Sequence, residues 1–215
     1  MRVNARGTVW HDADLETVRD LPPEVGVRVP KVQAAEEVQA LARRLGGRAI
    51  HALIESAIGV ERAFEIASAG VASIGLGEAD LRSQLGLARG PKGEPGLLWA
   101  RSRVVNAAAA AGIGAPMMSV YADVADVGGL AASCATGRAL GFVGRAAIHP
   151  AQLAAIEAAF MPTPEEVASA EEVISRVAAA ATDGVGTVVL EDGTFLDVAM
   201  VDAARRTIAI AGRMR

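Results

Sequence analysis

Cysteine, aromatic side chains, a dominant charge of one sign and long apolar runs are all scarce in this 215-residue chain, and each scarcity removes a class of protein. The single cysteine, Cys134, leaves no internal disulfide to form. It lies in the alanine-rich stretch GGLAASCATGRAL, where a buried packing thiol is expected. Aromatics make up 3% of the residues, so the core must be small aliphatic packing, and an apolar content of 52% is enough to build a large one. The net charge is -4, with acids and bases interleaved, which provides no basic face for a nucleic-acid backbone. No apolar run approaches the ~20 residues of a membrane span, and the opening MRVNARGTVWHDADL lacks the apolar segment of a signal peptide. A soluble cytoplasmic protein that binds neither nucleic acid nor membrane is expected.

What is present is alternation. Short apolar runs, at Arg2 to Asn4, Gly26 to Pro30, Ala49 to Ile54, Val71 to Gly75, Pro116 to Tyr121 and Gly141 to Ala147, are separated by stretches with helical spacing, the pattern of a parallel α/β architecture. Those stretches are DADLETVRDL, AAEEVQALARRL, GVERAFEIASAG, PGLLWARSRVVNAAAAAG and DVGGLAASCATGRAL. The segment GLARGPKGEPG reads as a loop. Two helices are expected after His149, near 151–160 and 164–181, the second opened by Thr163 as cap and Pro164 in the first turn. The tail then changes character: two strand-like runs flank Asp192-Gly193, a hairpin signal, and a helix follows from about Ala199. The predicted organisation is therefore a main body over 1–160 and a C-terminal segment over 161–215 that packs on the body or on a neighbouring subunit.

In βα architectures the ligand site lies at the carboxyl ends of the strands. The residues at those ends are Asn4, Lys31, Glu55, Glu78 with Asp80, Tyr121 with Asp123, and His149. Six ends delivering polar groups to one face predict a concave polar site. Its carboxylates suit Mg²⁺ or Mn²⁺ rather than Zn²⁺, for which His11, His51, His149 and one cysteine are a meagre supply. Taken singly, Glu55 and Asp80 read equally well as helix caps or first-turn acids. Lys31 reads as a solvated loop residue, Asp123 as a cap before the helix near Asp126, and His51 as a packed or surface histidine. GLGEAD, residues 75–80, lacks the full dinucleotide fingerprint, and its glycines serve tight turning.

The ordered series RVNARGT, VRVPKV, ALIESAIG, IGLGEADL, ARSRVV, GFVGRAAIHPAQL and FLDVAMV resembles the citrate lyase beta-subunit-like branch of the HpcH/HpaI aldolase family along essentially the whole chain. The resemblance implies a TIM (β/α)₈-type barrel with a C-terminal extension, in a homo-oligomer that is a trimer or a dimer of trimers. It implies a Mg²⁺-dependent lyase that cleaves or forms carbon–carbon bonds in acyl-CoA thioesters of the malyl, citramalyl or citryl kind, releasing a 2-oxo acid. By similarity to the family's motifs, Glu55 and Asp80 are the metal-ligand carboxylates, Arg2 is the substrate-binding arginine, and Asp197 is an acid/base group delivered into a neighbouring subunit's site. His149 lies where the family's barrel closes beside the CoA site.

The chain also departs from that pattern. Family members carry about two further βα units before RVNARGT, so the barrel is expected to lack its first two units, and Arg2, as the second residue, is expected to fray. A start placed downstream, truncation, degeneration and completion by another chain are the competing explanations. Gln33 stands where a glutamate is usual, Ser56 where a threonine is, and Ala199 where a proline is. The alternative expectation is accordingly a non-catalytic barrel fragment acting as a binding or regulatory subunit. The choice between CoA and an acyl-carrier-protein thioester is not fixed by these residues.

Overall fold

A computed structural model describes residues 1–182, 187–189 and 195–212, with the side chains of 91 and 181–199 excepted. Its contacts divide into two compact units, Met1–Ala159 and Phe160–Arg215.

The first unit is organised by three short parallel strands, β1 (Val27–Val29), β2 (Ile50–Ile54) and β3 (Ser73–Leu76), in the order β1-β2-β3. Val27 pairs with Ile50 and Ala52 with Ile74, so Val27, Val29, Ile50, Ile54, Ile74 and Leu76 carry nearly continuous burial along the sheet. Strands buried on both faces read as apolar runs rather than alternations, which is why these segments stand out in the sequence. Each parallel crossover is a helical segment: α2 (Ala35–Arg44) joins β1 to β2, and α3 (Ala57–Glu61) with α4 (Ala63–Ala67) joins β2 to β3. Leu15 and Val18 of α1 (His11–Arg19), Val38 of α2, Ile66 of α4, Leu81 of α5 (Glu78–Gln84) and Val104 of α6 (Leu98–Ala110) close over the sheet.

Three expected strands shrink to single bridges. Arg2 pairs in parallel with Arg28, and Met118 with Arg145. Each of these segments has a ladder partner on one side only among the described residues. The N-terminus is nonetheless tied down: Arg28 N donates to Met1 O at 2.7 Å, Val3 N donates to Arg28 O at 3.1 Å, and the terminal ammonium reaches Gly26 O at 2.6 Å. The fraying expected of Arg2 is corrected by these bonds. Among the described residues of the first unit the ladders form an open parallel sheet and a separate parallel bridge, arranged as successive βα steps. The expected single helix GVERAFEIASAG is broken at Arg62, whose ψ of 15° ends α3 before α4 begins. The expected loop around GPKGEPG contains a 3₁₀ segment, Pro91–Leu97.

After the bridge at Met118 comes α7 (Val127–Ala139), then a 3₁₀ turn at Pro150–Gln152 and α8 (Leu153–Phe160). In the second unit, α9 (Pro164–Thr182) is opened by a reciprocal cap: Thr163 N donates to Glu166 Oε2 at 2.8 Å and Glu166 N donates to Thr163 Oγ1 at 3.2 Å. The strands β4 (Thr187–Val189) and β5 (Phe195–Asp197) pair antiparallel, as the Asp192-Gly193 signal predicts, with the turn itself outside the described residues. α10 (Val198–Gly212) follows and packs on α9 through a small core that includes Val177 and Val201.

Candidate functional site

Parallel strands present their carboxyl ends on one edge, and four charged residues meet there: Arg2, Lys31, Glu55 and Asp80. Glu55 directly follows β2 and is 6% exposed. The cap of the next helix is Ser56, whose Oγ accepts from Gly59 N at 3.2 Å, so Glu55 precedes the cap and is not a first-turn acid. Gln33 Nε2 donates to the same Ser56 Oγ at 3.1 Å, which makes two of the positions that depart from the family pattern direct neighbours.

Glu55 Oε2 is buried with no hydrogen-bond partner. Burial pushes this carboxyl above its ordinary range, and the nearby charge of Asp80 pushes the same way. Arg2, Lys31 and the backbone N–H of Lys31 pull it back only in part. A buried carboxylate oxygen with nothing to bind costs free energy, and a second carboxylate beside it raises that cost. Gly77, at the end of β3, is what lets Glu55 lie there. A Cβ on residue 77 would overlap Glu55 Cγ and stand 2.7 Å from Oε1, while Gly77 N donates to Ile54 O at 2.7 Å and locks the two strand ends together.

Asp80 is the third residue of α5, so its first-turn position is real. Its side chain is half exposed and faces Lys31, with Nζ 3.6 Å from Oδ1. Glu78, two residues earlier, is withdrawn from the site. Arg101 Nε donates to its Oε1 at 2.8 Å and Arg101 Nη2 to its Oε2 at 2.6 Å. Arg101, 3% exposed, also pairs with Glu94 at 2.8 Å, and Glu94 with Arg82 at 2.5 Å. This alternating chain ties α5, the 3₁₀ segment and α6 together. Sequence reasoning misses Arg101, although there is a signal: Leu97, Ala100, Arg101, Val104 and Ala108 form one buried helical stripe, and a cation on such a stripe needs a buried anion.

Arg2, Val3, Asn4, Ala5, Thr8, Pro30 and Lys31 line an open pocket of about 390 Å³ beside the carboxylates. A larger cavity of about 420 Å³ lies between α1 and α2. Of its charged lining, Arg44 pairs with Asp12, and it holds neither Glu55 nor Asp80.

The remaining strand-end residues have structural partners. Asn4 gives its backbone N and its Nδ2 to Asp14 at 2.7 and 2.8 Å. Asp123 accepts from Ala125 N and Asp126 N in a turn, and Asp126 caps α7 while accepting from the Tyr121 hydroxyl at 2.6 Å. That bond to Asp126 pushes the Tyr121 phenol up to about 12. His51 Nδ1 is 2.8 Å from Ser73 Oγ, a packed histidine whose ring burial holds below its ordinary value. His149 is exposed and accepts from Ala151 N at 3.1 Å, capping the 3₁₀ turn. Asp197 ends β5, and its side chain lies outside the described residues.

Among the described residues no group of three or more His, Cys, Asp or Glu is set to hold a metal ion. A cation held by Glu55 and Asp80 would take two carboxylates from the chain and the rest of its shell from water or substrate. That suits Mg²⁺, which gives up its waters reluctantly and takes one or two carboxylates, and does not suit the closed four-ligand shells of structural zinc. No helix among the described residues is long and apolar enough to cross a membrane.

Comparison with known proteins shows the family. A model of the HpcH/HpaI aldolase/citrate lyase family matches residues 1–150. The chain is 36% identical to citrate lyase subunit beta of Escherichia coli over 224 residues, covering 98% of this chain and 73% of that protein. It is 30% identical to mitochondrial citramalyl-CoA lyase of Homo sapiens over 235 residues, covering 98% of this chain and 67% of that protein. It superposes with a TM-score of 0.81 and 31% identity on the CitE protein of Mycobacterium tuberculosis in complex with magnesium, acetoacetate and coenzyme A, covering 98% of this chain and 77% of that one. By its sequence and its fold, the chain belongs to the HpcH/HpaI aldolase/citrate lyase family.

Proposed function

We propose that this protein is a Mg²⁺-dependent carbon–carbon lyase that splits a β-hydroxyacyl thioester of the citryl, citramalyl or malyl type into a 2-oxo acid and a shorter acyl thioester, with coenzyme A as the carrier. The observation that carries the reading is the unpartnered, buried Oε2 of Glu55 beside Asp80 at the strand ends. A carboxylate is held in such a place when something cationic occupies it. The similarity to a citramalyl-CoA lyase and to a citrate lyase subunit, and the magnesium and coenzyme A in the mycobacterial structure, support the choice of ion and substrate class.

Glu55 and Asp80 would hold the ion, with Mn²⁺ as a substitute. When bound, it supplies a Lewis acid for the carboxylate and hydroxyl oxygens of the acid portion. Arg2, exposed at the mouth of the pocket, places a guanidinium against a substrate carboxylate or the thioester oxygen, where charge develops as the bond breaks. In the cleavage direction the hydroxyl proton passes to water, the electron pair of the breaking carbon–carbon bond moves to the thioester side as an enolate, and the enolate carbon takes a proton. Asp197 is the residue we assign to that last transfer, delivered from the C-terminal unit into a neighbouring subunit of a trimer or hexamer.

The test is an assay of purified protein against citryl, citramalyl and malyl thioesters with and without Mg²⁺. Cleavage of one of them that depends on Mg²⁺ and is lost in Glu55→Gln and Asp80→Asn supports the proposal. Metal-independent turnover, or full activity in both variants, refutes it. A folded protein that turns over none of the three favours a binding or regulatory role.

A further inference from the structure

Lys31 is the one non-glycine among the described residues whose backbone lies in the left-handed region, with φ of 57°. A lysine rarely adopts that conformation, and single residues held there cluster at functional sites. The conformation directs the two ends of Lys31 to different carboxylates. Its backbone N–H favours the charged form of Glu55, and its ammonium lies 3.6 Å from Asp80 Oδ1. That ion pair is long and about half exposed on both sides, so it is weak and exchangeable.

Lys31 also lines the pocket it shares with Arg2. The other polar side chains there are engaged inward, Asn4 with Asp14 and Thr8 Oγ1 with Ala5 O at 2.8 Å. The Arg2 guanidinium makes no hydrogen bond or ion pair among the described residues, and no carboxylate lines the pocket. Arg2 and Lys31 thus bring two cations to a pocket that no carboxylate lines, which favours an anionic ligand there.

We propose that Lys31 is a substrate-binding residue held in reserve on Asp80, released to the Arg2 pocket when a divalent cation takes that carboxylate, so that metal binds before the anionic substrate. This rests on the assignment of Glu55 and Asp80 as metal ligands. A dication on Asp80 removes the anion that Lys31 faces and repels the ammonium. The freed charge joins Arg2 in holding an anionic group of a 2-oxo acid that carries two carboxylates. The metal site and the substrate pocket are thereby linked through one side chain, and the link gives Lys31 opposite effects on the two ligands.

The test is calorimetric titration of Mg²⁺, and of oxaloacetate with and without excess Mg²⁺, into wild type, Lys31→Met, Lys31→Arg and Asp80→Asn, each verified as folded by circular dichroism. The proposal expects Lys31→Met to bind Mg²⁺ several-fold more tightly, because no ammonium competes, and to bind oxaloacetate at least tenfold more weakly in Mg²⁺. Lys31→Arg should retain most of the oxaloacetate affinity, and wild type should bind oxaloacetate far more weakly without Mg²⁺. A merely structural role would weaken both ligands together. Shifts of the same sign, no shift, or wild-type oxaloacetate binding indifferent to Mg²⁺ overturns the proposal. If Asp80→Asn weakens Mg²⁺ binding while Lys31→Met changes nothing, only this inference fails. If Asp80→Asn leaves Mg²⁺ binding intact, the metal assignment falls and this inference with it.

Discussion

Glu55 occupies the space that a side chain on residue 77 would need: a Cβ built on Gly77 overlaps Glu55 Cγ and lies 2.7 Å from its Oε1. The absence of a side chain at the end of β3 is therefore what allows a carboxylate at the end of β2 to stay buried and turned toward Asp80. The two strands are bonded across this point by Gly77 N and Ile54 O at 2.7 Å, so the backbone has little room to yield. Gly77→Ala should displace Glu55, destabilise the fold by about 1–3 kcal/mol as overpacking does, and weaken Mg²⁺ binding. Urea denaturation and Mg²⁺ titration of the same variant read the two effects. Unchanged Mg²⁺ affinity would separate Gly77 from the site.

Arg101 and Glu78 are a buried, two-bond pair, and removing one partner leaves the other charged and enclosed. Arg101→Met should cost about 3–5 kcal/mol in urea denaturation. Adding Glu78→Gln to it should recover much of that loss, since the orphaned charge is then gone. If the double variant is no more stable than Arg101→Met alone, the cost lies in packing rather than in charge.

Tyr121 is the chain's one tyrosine, so its ionisation can be followed by absorbance without ambiguity. The hydrogen bond to Asp126 raises its value from 10.0 to about 12 in the folded state. The folded state thus holds the phenolic proton more tightly than the unfolded chain does. The stability this contributes is complete below pH 10 and is lost as pH rises through about 12. In Asp126→Asn the midpoint, read by a rapid alkaline jump on folded protein, should fall toward 10. A midpoint that stays near 12 would mean that burial, not this bond, sets it.

Thr163 and Glu166 close the start of α9 reciprocally. Thr163→Ala should lower stability by about 1 kcal/mol, the usual cost of losing such a cap. Thermal unfolding followed by circular dichroism measures it, and an unchanged midpoint would show that α9 does not depend on its cap.

The parts of the fold legible in the sequence are those fixed by local patterning. The run ending in ALIE marks both a strand and the place where it stops, because a carboxylate does not continue an apolar run buried on both faces. Asp192-Gly193 likewise marks the pairing of β4 with β5, and TPEEV marks the start of α9. What is not legible depends on partners distant in the chain. Glu78 and Asp80 look alike in GEAD, yet one is buried on Arg101, 23 residues on, and the other faces Lys31. Nothing in VPKV shows that Lys31 turns left-handed. The strand-like runs at Arg2, Met118 and Arg145 pair on one side only among the described residues, so they register as bridges. The family resemblance supplies roles for Arg2 and Asp197 that local pattern alone does not.

The central claim is that Glu55 and Asp80 together hold a divalent cation. Isothermal titration of Mg²⁺ into the folded protein, into Glu55→Gln and into Asp80→Asn tests it most directly. One saturable site in the wild type, lost or severely weakened in each variant while their folds persist, is the predicted result. Absence of Mg²⁺ binding in the wild type, or equal binding in all three proteins, would contradict the account.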